Sequence, residues 1–204
     1  RRSHPTIETV GFLAGSHKEI EILNQISRIP PSLGYAIANI YIPAGMKLTE
    51  NPKREVENDE YEGFTFKLDD RNITFRTGKI TPERPGNFVA IYDRIGVTIV
   101  PVDTSYRKID FLVIDVSDKT SENKGQFVFP RSTLLTKGII SQGLSIEERL
   151  GRKKGKLSFR VFPPWAKPKP TALKTQEWQN KFFFPISKNG MSNFSLIKRL
   201  FLKT

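Results

Sequence analysis

The spacing of apolar residues changes twice along this chain, and those changes constrain its architecture more than any single motif. Up to residue 41, apolar side chains recur at helical intervals: Ile20, Leu23 and Ile26, then Leu33, Ala36, Ile37 and Ile40. Ser16-His17-Lys18-Glu19 has the form of a capping box and predicts a first helix, which Pro30-Pro31 stops; a second, short one is expected from Ser32. Pro43 opens a loop that runs through Asn51-Pro52. From Gly63 the period becomes two. Phe64, Phe66 and Leu68 alternate with polar residues, Asp69-Asp70-Arg71-Asn72 supply turn chemistry, and Ile73 and Phe75 resume the alternation, which predicts a hairpin.

Residues 88–92, 111–116 and 126–129 are continuous apolar runs, expected as strands buried on both faces. A helical segment is expected over 132–137, and Ser145-Ile146-Glu147-Glu148 forms a second capping box. Leu157, Phe159 and Val161 alternate as a further strand. Helical spacing then returns. Thr171 is placed to cap a helix through Phe182, and Ser192 to cap another with Phe194, Ile197, Leu200 and Phe201 inward and Lys198, Arg199 and Lys203 outward. Helices, then strands, then helices predict an α+β fold with a mixed β-sheet flanked by helices. One domain over 1–204 is expected, with N-terminal helices at 16–41, a sheet core at 63–163 and a basic helical region at 164–204.

Charge is unevenly distributed. Residues 151–204 hold 13 of the 33 basic residues and one of the 21 acidic ones, Glu177, leaving 20 of each sign in the first 150. A neutral body with a strongly basic last quarter predicts a one-sided field that favours polyanions, nucleic acid above all. The basic loop Arg152, Lys153, Lys154 and Lys156, bounded by Gly151 and Gly155, is the expected phosphate contact. Trp165, Trp178 and the phenylalanines among these cations are of a type that stacks bases, but Trp178 and Phe182-Phe183-Phe184 at helical spacing are more often core.

Other classes are excluded or disfavoured. Without cysteine there is no disulfide framework, thiolate nucleophile or cysteine-held zinc. His4 and His17, the two histidines, supply no triad or zinc set, and no Walker-type or dinucleotide-type glycine loop is present. No apolar run approaches the roughly 20 residues of a membrane span. Arg1-Arg2 lacks the apolar segment of a twin-arginine export signal and reads as a fragment edge, so a cytoplasmic location is expected.

Several blocks in order carry a family likeness: Tyr41-Ile42-Pro43-Ala44-Gly45, Glu60-Tyr61-Glu62-Gly63-Phe64-Thr65-Phe66, Ile73-Thr74-Phe75-Arg76-Thr77-Gly78-Lys79, Gly125-Gln126-Phe127-Val128-Phe129-Pro130, Lys156-Leu157-Ser158-Phe159-Arg160-Val161-Phe162-Pro163-Pro164-Trp165 and Thr175-Gln176-Glu177-Trp178-Gln179. Over roughly residues 20 to 185 the chain resembles the MepB-like proteins. The resemblance implies a restriction-endonuclease-like fold, and such nucleases hold magnesium or manganese on two or three carboxylates with a lysine nearby. Lys79 is the candidate lysine, although Thr77 stands where an acid is expected two residues before it; Glu122-Asn123-Lys124 has the spacing but lies in a polar turn. A relocated acidic site would draw on Glu57, Glu60, Glu62 and Asp110. Arg76 and Arg160 join Lys79 as candidate phosphate ligands, against structural ion pairs with the acidic run, and Gln176 and Gln179 as polar contacts.

Three functions follow: a nucleic-acid-binding domain with a nuclease-like fold and no efficient cleavage, a divalent-metal-dependent nuclease with a relocated acidic site, or a small-molecule or protein-interaction module of stress or drug-resistance physiology.

Overall fold

A computed structural model describes residues 29–55, 62–187 and 193–202. The helix expected from Ser16, together with Glu57 and Glu60, lies outside these residues. Pro31 starts helix α1 (Pro31–Ala36) at the position where its missing amide proton matters least, and the helix continues as a π-helical turn (Ile37–Tyr41). Leu33, Ala36, Ile37 and Ile40 are all buried, so the helical stripe read from spacing is the packed face.

Six strands form the main sheet in the order β1 (Leu48–Arg54), β2 (Phe64–Leu68), β3 (Arg71–Thr77), β8 (Phe111–Ser117), β9 (Lys124–Pro130) and β11 (Phe183–Ile186). The β2–β3 hairpin turns at Asp69 (φ 47°) and Asp70 (φ 62°), the paired positive dihedrals of a type I′ turn. Among the described strands of this sheet only β3 and β8 pair in parallel, which makes it mixed. The crossover between them contains no helix. It carries β4 (Lys79–Thr81) and β5 (Arg84–Ala90), which join β10 (Ser158–Val161) in a three-stranded sheet, and the β6 (Asp93–Ile95)–β7 (Thr98–Val100) ribbon. Gly78 is the point where the chain leaves one sheet for the other. A Cβ there would sit 2.8 Å from that of Asn87, whose Nδ2 donates to the Gly78 carbonyl and ties the two sheets together.

Alternation along the strands sends one set of side chains to each face of the main sheet. Phe64, Phe66, Ile73, Phe75, Phe111 and Val113 meet α1 and helix α5 (Phe194–Leu202) on the first face, where Ile197, Leu200 and Phe201 are buried. Asn193, through Oδ1, caps α5 by accepting from Leu196 N at 2.9 Å. On the second face Leu112, Ile114, Val116, Phe127 and Phe129 pack against β5, β10 and helix α2 (Arg131–Thr136). Helix α3 (Ile146–Leu150) starts at the capping box expected from Ser145, and α4 (Leu173–Asn180) precedes β11.

Two expectations change. Residues 48–54 form a strand despite Pro52, because β1 is an edge strand with one side free of ladder bonds. The helix expected through Phe182 ends at Asn180, and Phe183 and Phe184 follow in β11, facing opposite cores. The fit of β11 on β9 is tight: a Cβ on Gly125 would lie 2.2 Å from Phe183 Cζ and 2.7 Å from the Phe184 carbonyl oxygen. Gly125→Ala should therefore cost about 3 kcal/mol, read as a lowered urea midpoint. A shift equivalent to under about 0.5 kcal/mol would mean that β11 is not seated on β9 in this register.

Candidate functional site

The first face is apolar along most of the sheet and turns polar at one end. Parallel pairing sets Thr77 of β3 beside Asp115 of β8, and antiparallel pairing sets Asp115 beside Gln126 of β9. The next row holds Ser117 opposite Lys124. Five polar side chains from three strands thus share one corner that no contiguous stretch of sequence displays.

The corner is internally bonded. Tyr41, wholly buried on the π-helical turn, donates its hydroxyl to Gln126 Oε1 at 2.6 Å, which leaves Gln126 Nε2 to donate to Asp115 Oδ1 at 3.2 Å. Thr77 donates through Oγ1 to Glu62 Oε2 at 2.5 Å, and Glu62 itself holds a left-handed backbone (φ 47°). Burial, with the charge of Glu62 added, pushes the Asp115 carboxyl up to about 6, against the opposing influence of Gln126 and Lys124. A half-buried carboxyl that titrates near neutrality beside a second carboxylate and a lysine is the kind of group found where proton or cation chemistry is done.

Glu62, Thr77, Asp115 and Ser117 border a cleft of about 730 Å³, walled by Ser32 and Tyr35 of α1 on one side and by Glu122 and Lys124 on the other. The second wall is held by Asp118, whose carboxylate accepts from Thr120 Oγ1 and from the Glu122 and Asn123 backbone amides. Glu122-Asn123-Lys124, the spacing visible in the sequence, therefore does flank the site, although it sits at a turn. Asp115 is the residue that sequence reasoning missed. Its signal was a lone acid within the apolar run 111–116, seven residues before Glu122.

The other expected site residues are distributed elsewhere. Asp110 precedes β8 and accepts from Asn72 N and Nδ2. It is five residues from Asp115, about 16 Å along a strand, so Glu62 and Asp110 do not share a site. Lys79 is exposed at the start of β4, opposite Phe88 in the small sheet, outside the cleft. Arg76 is fully buried: Nη2 donates to Glu55 Oε2 at 2.6 Å, Nη1 to the Phe75 carbonyl and Nε to that of Ala90. That is the structural ion pair, not a phosphate ligand. Arg160 is spent on Thr81 Oγ1 (2.6 Å) and the Gly86 carbonyl (3.3 Å). Gln179 is buried between Phe162 N and the Arg160 carbonyl, and Gln176 Nε2 bonds the Pro163 and Ala166 carbonyls.

The basic last quarter does not gather on one side. Arg152, Lys153, Lys154 and Lys156 are exposed on the loop that bonds Ile139, over the second face, whereas Lys198 and Arg199 are exposed on α5, over the first. Lys153 is paired with Glu148 at 3.7 Å. A field directed to one side is thus replaced by cations over both faces.

Among the described residues no three carboxylates or imidazoles are grouped to hold a metal ion. Glu62, Asp115 and Glu122 are the carboxylates that line the cleft, and magnesium takes one or two protein carboxylates and keeps several waters. No helix among the described residues is long and apolar enough to cross a membrane.

Comparison with known proteins places these residues in a family context. A family model described as MepB-like matches residues 55–185, a span that includes Glu62, Thr77, Asp115, Lys124 and Gln126. The crystal structure of MepB is similar to the chain at 33% identity, over 68% of this chain and 87% of that one, with a TM-score of 0.58. No curated protein matches it.

Proposed function

The chain belongs to the MepB-like family, and from that premise we propose that it is a divalent-metal-dependent nuclease whose acidic site is relocated to the end of the main sheet. The observation that carries this reading is the convergence of Glu62 and Asp115 with Lys124 at one cleft. Two carboxylates so close repel each other, and a cation shared between them relieves that repulsion. When bound, magnesium or manganese would neutralise charge on a phosphate oxygen. The protein's own groups divide the remaining work. Lys124 gives the cleft a positive group for a phosphodiester, and Asp115 and Glu62, both ionised when they share the cation, hold it at the sheet end. Gln126, aimed by Tyr41, fixes the orientation of the Asp115 carboxyl.

The test is cleavage of labelled single-stranded and duplex DNA and RNA in magnesium, in manganese and in chelator. Cleavage should require metal and fall at least about 100-fold in both Asp115→Asn and Lys124→Ala. Absence of cleavage in either metal, or cleavage that survives both substitutions, would sink the nuclease reading.

A second reading, nucleic-acid binding without efficient cleavage, draws on the net charge of +12 and the exposed cations of residues 152–156. It expects affinity for a DNA duplex to fall steeply with salt, by a log-log slope of about −0.9 for each neutralised phosphate. Reversing Lys154 and Lys156 to glutamate should flatten that slope.

A further inference from the structure

The second face carries a cleft of opposite character. Beneath it runs a chain of five charged groups: Arg76 to Glu55, Glu55 to Arg107, Arg107 to Asp93 at 3.1 Å and Asp93 to Arg149 at 2.9 Å. Three guanidinium groups thus share two carboxylates, and none of the five side chains is more than 18% exposed. Within this set one positive charge is in excess, where little water screens it.

Above the chain lies a space of about 550 Å³, within the range of small-molecule sites. Lys53, Lys67, Arg94 and Lys108 line it, and Glu50 is the remaining acid there, engaged by Lys67 at 2.5 Å. Counting Arg107 and Arg149, which also line it, six cations among the described residues face three carboxylates, Glu50, Glu55 and Asp93. Lys108 is exposed on the loop before β8, next to Arg107, whose guanidinium is held in place by Glu55 and Asp93. An anchored arginine beside an exposed lysine suits a phosphate group, the first by geometry and the second by charge.

Tyr106 adds an aromatic wall. Its hydroxyl donates to the Leu144 carbonyl at 3.1 Å and the Arg149 guanidinium lies 4.6 Å from the ring centre, yet the residue is 54% exposed. The ring is thus fixed in orientation, backed by a cation and open to a planar ligand.

We propose that this cleft binds a nucleotide carrying at least two phosphates, the phosphates on Arg107 and Lys108 and the base on Tyr106. The site is on the opposite face of the sheet from Asp115 and does not depend on nuclease activity.

Titration calorimetry on the full chain with ADP, pyrophosphate, adenosine and a single-stranded DNA oligomer tests it. ADP should bind, pyrophosphate should compete with it, and adenosine should not bind detectably. Lys108→Glu should weaken both ADP and pyrophosphate by at least about tenfold. Tyr106→Ala should weaken ADP and leave pyrophosphate unchanged, which a general loss of structure would not do. Asp115→Asn should leave ADP binding intact, so failure of the nuclease reading would be visible separately. The proposal is overturned if ADP fails to bind, if Lys108→Glu binds it as well as the parent chain, or if the DNA oligomer occupies this cleft when ADP does not.

Discussion

Replacing Glu55 with alanine will lower stability by about 3–5 kcal/mol, the range for removing one partner of a buried charge pair. Burial alone would raise the Glu55 carboxyl; the charges of Arg76 and Arg107, with the hydrogen bonds they donate, more than offset that and hold it below the usual carboxylate range. Glu55 is therefore ionised in the fold and neutralises an arginine with no exposed surface. In the alanine variant Arg76 keeps only the Phe75 and Ala90 carbonyls as acceptors. Glu55→Met combined with Arg76→Met should recover most of the loss, because two apolar side chains leave no uncompensated charge at that point. The pH dependence follows in sign. A depressed carboxyl stabilises above its unfolded value and loses that contribution as pH falls through its folded one, so the parent and Glu55→Ala should converge in acid. Urea midpoints near neutral pH provide the measurement. A loss below about 1 kcal/mol would show that Glu55 does not hold the arginines together.

The same network shows why the structure was only partly legible beforehand. The β2–β3 hairpin could be read because alternation and the aspartate turn are local signals, and β8 and β9 because long apolar runs have few other solutions. The strand β1 could not, since Asn51-Pro52 carries the same local signature in a loop and in an edge strand. β11 was hidden by Phe182, Phe183 and Phe184, which suit a helix stripe and a strand alike; its identity rests on pairing with β9, where Pro185 lies opposite Gly125, 60 residues away in sequence, rather than on anything nearby. β6 and β7, at three residues each, are too short for a period to register.

Site residues divide along the same line. Arg76 was visible as a cation near an acidic run, and that alternative is what the fold realises with Glu55. Asp110 drew attention as an acid at the start of a strand, yet its partner is Asn72. Asp115 sits inside a run that reads simply as core. Its meaning appears only when parallel and antiparallel pairing bring Thr77 and Gln126 to either side of it. One-dimensional spacing carries side-chain type and facing, but rows across a sheet are properties of register.

Asp115→Asn is expected to make the protein more stable at pH 8, by about 1–3 kcal/mol, while lowering the proposed cleavage at least about 100-fold. Burial, then Glu62, raises the Asp115 carboxyl from its ordinary 3.8 to about 6. A raised acid favours the fold in its protonated form: that contribution is complete below the unfolded value, near 4, and is lost as pH rises through about 6. Above that point the parent chain holds an ionised carboxyl at a site that disfavours it. Asparagine removes the charge and still offers an oxygen to Gln126 Nε2, so the polar row stays bonded. The gap between variant and parent should therefore open between about pH 4 and 6 and stay constant above. Magnesium supplies a second, activity-independent readout. At pH 8 it should raise the melting temperature of the parent and not that of Asp115→Asn, because binding to the folded state alone stabilises it. If the variant is instead less stable than the parent at every pH, and magnesium shifts neither, Asp115 is a structural acceptor for Gln126 and the sheet-end cleft holds no cation.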